Sequence, residues 1–298
     1  MNTVTGTELS TGSVVSADGT RIGYLQTGHG PAVVLLHGSM ESSRSHLQMA
    51  AALAGEFTVY LPDRRGRGMS GSYPADYSIR TEVEDLHTVM AAAGADMVFG
   101  VSASGLVALE AARTHPAIRK VAVYEPALLP AGTRHTQWLP RFDREMAEGK
   151  VSAALITSMI GLELAPPAMK VMPRPLLEVL TNMVLRSEDK KAAPDAVTMR
   201  SLAPTLHYEG SLLAEMAGTL DTFADVKAEV LLLGGSKGLG FLKPALDELA
   251  RILPVSRRVE FAGLDHGGSA DVSKANPKGR PEVVAAELRS FLAESIGQ

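Results

Sequence analysis

Phe99-Gly100-Val101-Ser102-Ala103-Ser104-Gly105 is the stretch on which the fold turns. It stands between a short apolar run at 97–99 and a segment, 105–114, whose alanines and leucines recur at helical spacing. A strand that gives way to a helix over so few residues must turn abruptly, and small residues on both sides let backbone pass close to backbone. The residue at the apex, Ser102, is then held in a strained conformation with its hydroxyl exposed, as a nucleophile needs. The pattern is G-x-S-x-G except that Ser104 fills the fifth position and Gly105 follows. A serine ahead of a helix also serves as an ordinary N-cap, so the motif is judged by its company.

That company is a strand–helix alternation. Residues 12–17 and 21–26 flank an Asp18-Gly19 turn and read as a hairpin. Continuous apolar runs at 32–36 and 57–61 read as strands buried on both faces. A helix is expected around 47–54, another over 79–92 and a strand at 121–124. From 131 to 216 there are prolines and helical periodicity but no convincing strand; the alternation resumes with a strand at 230–233, a helix at 242–253, a strand at 258–261 and a helix at 281–294. This predicts an α/β fold, a mostly parallel doubly wound sheet, with an inserted all-helical cap. The core is assigned to 1–130 and 217–298 and the cap or lid to 131–216.

The 298 residues allow one large domain with an insertion, and 45% hydrophobic against 21% charged residues fits a globular chain. A net charge of −4 offers no basic face to nucleic acid or anionic lipid, and the lack of cysteine excludes disulfides and thiolate chemistry. The Thr-, Ser- and Gly-rich start has no signal-peptide pattern and no apolar run spans a bilayer, so a soluble, cytoplasmic protein is expected.

Catalysis in such a sheet gathers at the carboxyl ends of the strands, and three further loops there hold unusual residues. Leu36-His37-Gly38-Ser39-Met40 follows a buried strand and offers backbone N–H groups for an oxyanion; Ser39 and Ala103 are the expected donors, with His37 in a supporting role. Gly263-Leu264-Asp265-His266-Gly267-Gly268 places a histidine between small residues late in the chain, and His266 is the expected base, ahead of His115, His135 and His207. The acid that orients it commonly follows the strand at 230–233, but Gly234-Gly235-Ser236-Lys237-Gly238-Leu239-Gly240 holds no carboxylate, and Asp247 lies too far along the next helix. Glu125, after the strand at 121–124, is the alternative, preferred to Asp265, which would tend to point away from the neighbouring ring. A buried glutamate also suits a plain ion pair, with Arg134 or Lys237 as partner.

With these loops in view the chain resembles the α/β-hydrolase superfamily. Asp63-Arg64-Arg65-Gly66-Arg67-Gly68-Met69-Ser70 matches its D-x-R-G-x-G-x-S loop, and the likeness spans 12–130 and 216–298. The serine in the elbow and the displaced acid are similar to features of fungal zearalenone lactonases. The resemblance implies a serine hydrolase with the triad Ser102, His266 and Glu125, an acyl-enzyme, and no metal or organic cofactor.

The 131–216 segment carries seven of the thirteen methionines together with Trp138 and Phe142. Such side chains line adaptable apolar pockets, although any one of them more commonly packs a core. Met40, Trp138, Phe142, Met159 and His207 are the expected pocket residues, and the expected partner is a small-molecule ester or lactone of medium-to-large apolar character. A thioesterase, C–C hydrolase, cyclase or lyase on the same site, or a non-catalytic binding protein, are the alternatives.

Overall fold

The computed structural model describes residues 2–4, 7–166, 169, 171–193 and 196–294. Nine strands form one sheet: β1 (Asn2–Val4), β2 (Thr7–Val15), β3 (Arg21–Gly28), β4 (Ala32–Leu36), β5 (Thr58–Pro62), β6 (Met97–Val101), β7 (Lys120–Tyr124), β8 (Glu229–Gly235) and β9 (Ser256–Phe261). Their spatial order is β1-β2-β3-β5-β4-β6-β7-β8-β9. The β2–β3 hairpin and the β3–β5 pair are antiparallel, and every pair from β5 to β9 is parallel. The order reverses at β4, which pairs β5 on one side and β6 on the other. The carboxyl ends of β4 and β6 therefore lie side by side, with β7 and β8 next.

Both faces of the sheet are covered, which is why β6 and β7 are apolar and buried at every position. On one face, α2 (Ile79–Ala93) and α3 (Ala103–Thr114) pack Val83, Leu86, Leu106 and Leu109 against Val34, Val98 and Val121. On the other, α1 (Leu47–Leu53) and the C-terminal helix (Pro281–Ala293) pack Met49, Leu53, Leu288 and Phe291 against Val33, Phe99 and Leu231. Each fully buried Leu, Val or Phe of this kind stabilises by roughly 1.5–3 kcal/mol.

Between β7 and β8 the described residues carry helices and no strand: α4 (Leu139–Ala147), α5 (Val151–Gly161), α6 (Arg174–Lys191), α7 (Met199–Leu202) and α8 (Thr205–Met216). Trp138, Phe142, Leu155, Leu185 and Leu206 form a separate small core among them. The helices after β8 and β9 are α9 (Lys243–Ile252) and α10 (Pro281–Ala293). Strand β1 has no counterpart in the sequence expectations, since its residues lack an apolar alternation to mark them.

The D-x-R-G-x-G-x-S loop, which follows β5, is a buried charge relay between layers. Asp63 accepts the N–H groups of Ser43 (2.7 Å) and Met69 (2.9 Å). Arg65 forks onto Asp85 of α2 (2.6 and 2.8 Å). Arg64 forks onto Glu82 of α2 (2.9 and 2.9 Å) and also reaches Glu209 of α8 at 2.7 Å, with Arg67 on the same Glu209 oxygen. Each guanidinium is buried with its carboxylate partners, the condition under which ion pairs are kept.

Candidate active site

Ser102 sits at the apex between β6 and α3 with φ +55° and ψ −122°, outside the regions a non-glycine residue favours. Its side chain makes no helix-capping hydrogen bond, so its position is not that of an ordinary N-cap. The strain is held in place by backbone: its N–H donates to the Tyr124 carbonyl (3.0 Å), and its own carbonyl accepts from Gly105 (2.9 Å) and Ala127 (3.1 Å). Gly105 takes over the close approach that the missing fifth-position glycine would have made. A Cβ there would meet Pro126 Cβ at 2.9 Å. Ser104 is fully buried, and its hydroxyl donates to the His37 carbonyl, tying α3 to the loop after β4.

That loop carries one of the expected oxyanion donors, Ser39, and the start of α3 carries the other, Ala103. Ser39 and Ala103 both line the cavity over Ser102, and among the described residues neither N–H has an acceptor. The Ala103 N–H opens α3, where the first-turn donors are unpaired and the helix dipole is positive. His37 is buried behind them: its Nε2 accepts the Arg64 N–H (3.1 Å), which leaves Nδ1 to donate to the Gly38 carbonyl (2.9 Å). Burial, helped by the nearby Arg67 and Arg64 charges, holds its proton affinity well below the ordinary histidine value. It is a neutral strut between two loops.

His266 also lines the cavity, and its Nδ1 lies 2.7 Å from Glu125 Oε2. Glu125 follows β7 at φ +43° and is 2% exposed. Its Oε1 accepts the Gly235 N–H (2.9 Å) and its Oε2 the Leu239 N–H (3.3 Å). Burial alone would push the carboxyl up, but the bond to His266 and the two backbone donors more than offset it and hold it below the usual carboxylate range. Neither Arg134 nor Lys237 is its ion-pair partner. Asp265 points elsewhere: its Oδ1 caps the Gly267 N–H at 3.1 Å, and its carbonyl accepts the Tyr124 hydroxyl at 2.7 Å. The structure thus brings Ser102, His266, Glu125, Ser39 and Ala103 to one place. His115 stacks on His87, remote from it, and Asp247 pairs outward with Arg258.

The cavity encloses about 730 Å³, its open mouth included, and its walls are mostly leucine: Leu129, Leu162, Leu213, Leu239 and Leu242, with Phe241. The five expected pocket residues are not among the lining. Trp138 and Phe142 fill the small core of the helical segment, and Met40 packs against that core. His207 lies 2.8 Å from Asp143, joining α8 to α4, and Met159 is half-buried on α5 outside the wall. The other methionines of the segment behave likewise: Met216 is in the main core, Met146 and Met199 pack on the small core, and Met183 is 62% exposed. The wall itself went unforeseen, and one of its residues is charged. Glu41 lines the cavity beside Gly38 and Ser102, and the only trace of it in the sequence is a carboxylate five residues before His46.

The model of the Alpha/beta hydrolase family matches residues 33–287. The chain is 26% identical over 253 residues to a pimeloyl-[acyl-carrier protein] methyl ester esterase of Xanthomonas axonopodis pv. citri, covering 83% of this chain and 94% of that one. Among solved structures it is similar to an alpha/beta hydrolase from Sphaerobacter thermophilus, with a TM-score of 0.74 at 28% identity, covering 95% of this chain and 100% of the other. An enol-lactonase from Burkholderia xenovorans shares the fold, with a TM-score of 0.68 at 21% identity, over 95% of this chain and 100% of that one. With a mostly parallel sheet, a strained serine after β6 and a family match over most of its length, the chain belongs to the alpha/beta hydrolase family.

Proposed function

We propose that the protein is a serine hydrolase that cleaves a carboxylic ester or lactone of medium-to-large apolar character through an acyl-enzyme. The observation that carries this reading is the His266–Glu125 contact of 2.7 Å opening onto the same cavity as Ser102. Ser102 Oγ attacks the carbonyl carbon as His266 Nε2 removes its proton. Glu125 keeps the ring in the Nδ1–H tautomer and stabilises the imidazolium. The negative charge that develops on the carbonyl oxygen is received by the Ser39 and Ala103 N–H groups, donors with no competing acceptor among the described residues. His266 returns the proton to the leaving alkoxide. It then activates a water that adds to the acyl carbon, and collapse of that adduct frees Ser102 and the acid.

The leucine and phenylalanine walls favour an apolar substrate. Helices α4 to α8 act as the cap over the core: Leu162 and Leu213 come from that segment and Leu129 leads into it. The methyl ester and lactone chemistries named for the relatives are consistent with this substrate class.

The test is labelling with a fluorophosphonate probe, followed by turnover of p-nitrophenyl esters of increasing chain length and of macrocyclic lactones. Labelling abolished by Ser102→Ala and turnover that rises with chain length are expected. Labelling that survives Ser102→Ala would overturn the nucleophile.

A further inference from the structure

Apart from His266, the cavity wall holds one ionisable side chain, and the steps above leave it unused. Glu41 Oε2 accepts the Gly38 N–H at 2.6 Å and lies 3.1 Å from Nε2 of the buried His46. Both contacts fall on the same oxygen. Among the described residues Oε1 has no hydrogen-bond partner, while the side chain keeps 23% of its surface open. Glu41, with an unfilled acceptor on Oε1, thus lines an otherwise apolar chamber that also holds the nucleophile.

A bare carboxylate beside a developing oxyanion would oppose the reaction in sign, and His46 answers it. Burial alone would drive the His46 ring towards neutrality, but Glu41 against it and Asp271 near it raise its hold on a proton. Glu41 is correspondingly kept below the ordinary carboxylate range, burial being outweighed by His46 and the Gly38 N–H. Each partner of the pair thus favours the charged form of the other, and Oε1 is left to accept a further hydrogen bond. With no lysine or arginine on the wall, a carboxylate-bearing substrate finds no counter-charge.

We propose that Glu41 Oε1 is a substrate-selecting group that receives a hydroxyl carried near the scissile carbonyl. The proposal rests on the reading of Ser102 as the nucleophile and names the substrate class within it. A substrate lacking that hydroxyl strands a part-buried acceptor, and sites built around such a group discriminate by its absence.

The experiment compares kcat/KM for p-nitrophenyl butyrate with its 2-hydroxy and 3-hydroxy counterparts, and for ethyl butyrate with 2-hydroxyethyl butyrate, so that both sides of the ester are sampled. Wild-type protein is expected to prefer at least one hydroxylated ester about ten- to a hundredfold, the worth of one hydrogen bond to a charged group. Glu41→Gln should cut that ratio to a few-fold, and Glu41→Met, which has no oxygen acceptor, should bring it to about one. A preference below about threefold for every hydroxylated ester overturns the proposal. So does a Glu41→Gln variant that slows parent and hydroxylated esters by the same factor, because a loop-holding role alone predicts that. Absence of fluorophosphonate labelling and of turnover of all five esters would instead overturn the nucleophile reading beneath it.

Discussion

Replacing Gly238 by alanine tests whether Glu125 works through His266. A Cβ built at position 238 would lie 1.6 Å from Glu125 Oε1 and 2.4 Å from its Cδ. No rotation of the methyl group relieves that, so either the carboxylate swings aside or the loop after β8 retreats. The loop cannot retreat freely, since Gly238 N–H is bonded to the Gly235 carbonyl at 3.0 Å and the Leu239 N–H to Glu125 itself. Either movement breaks the alignment of Oε2 with His266 Nδ1, now 2.7 Å. A hydrogen bond to a charged partner contributes about 1.5–3 kcal/mol, and each 1.36 kcal/mol off or on a barrier is tenfold in rate. The expected loss in kcat is therefore about ten- to a hundredfold. An upper bound of about 10⁴ comes from acid-to-amide replacement in a Ser-His-Asp triad. Steady-state turnover of a p-nitrophenyl ester measures it, with circular dichroism and a thermal melt to show that the variant is folded. A folded Gly238→Ala protein with kcat within about threefold of wild type would refute the assignment of Glu125 as the acid. Glu125→Gln, which keeps the shape and loses the charge, should fall at least as far.

Glu209→Gln weakens the carboxylate of α8 that Arg64 and Arg67 share. It should cost about 3–5 kcal/mol, a fall in Tm of about 10 °C at 2–4 °C per kcal/mol for a chain of this size, and a shift under 2 °C in calorimetry would contradict it. The two buried histidines predict opposite limbs of stability against pH. His37 has its native value well below 6.5, so its contribution, complete above 6.5, is lost as pH falls towards that value, because the unfolded chain binds a proton the native one refuses. His46 has its native value above 6.5, so its contribution is complete below 6.5 and is lost as pH rises through the native value. Urea midpoints measured from pH 5.5 to 8.5 should therefore peak near 6.5, and His37→Asn should flatten the acid limb only; a monotonic profile would count against both. Ser104→Gly, which restores the common elbow pattern, should lose about 1–2 kcal/mol by removing the bond to the His37 carbonyl and adding a helical glycine. Equal or greater stability in denaturant would show that this serine does not tie α3 to the neighbouring loop.

Strands β4, β6, β7 and β8 were legible because strands buried on both faces must be apolar throughout, and four such runs punctuated by helices have few topologies open to them. The elbow was legible because an abrupt strand-to-helix turn restricts side-chain size on both sides. The cavity wall was not. Leu129, Leu162, Leu213 and Leu239 come from four separate segments, and a leucine that faces a cavity has the same sequence signature as one that faces a core. Methionine misled for the converse reason: its adaptability suits gaps among helices as well as ligands, and here Met146 and Met199 fill such gaps. Glu41 escaped because nothing local distinguishes a loop carboxylate on the surface from one paired with a buried His46.

The absence of a carboxylate from the loop after β8 and the presence of Glu125 after β7 are a single structural arrangement. That loop holds no carboxylate because it is the socket for one. Gly235 and Leu239 present their N–H groups to the two oxygens of Glu125, and Gly238 leaves the space in which Oε1 sits. A side chain on residue 238 would fill the socket, and an aspartate there would set a second negative charge against Glu125. Gly238 thus follows from the position of Glu125, whereas Gly235 is required by the Leu264 carbonyl, 2.1 Å from a Cβ built there. Since β7 and β8 are parallel neighbours, with Tyr124 in register with Leu233, a residue ending either strand reaches the same point above the sheet. Moving the acid from one strand end to the next preserves its contact with His266 as long as the vacated loop supplies donors instead of charge.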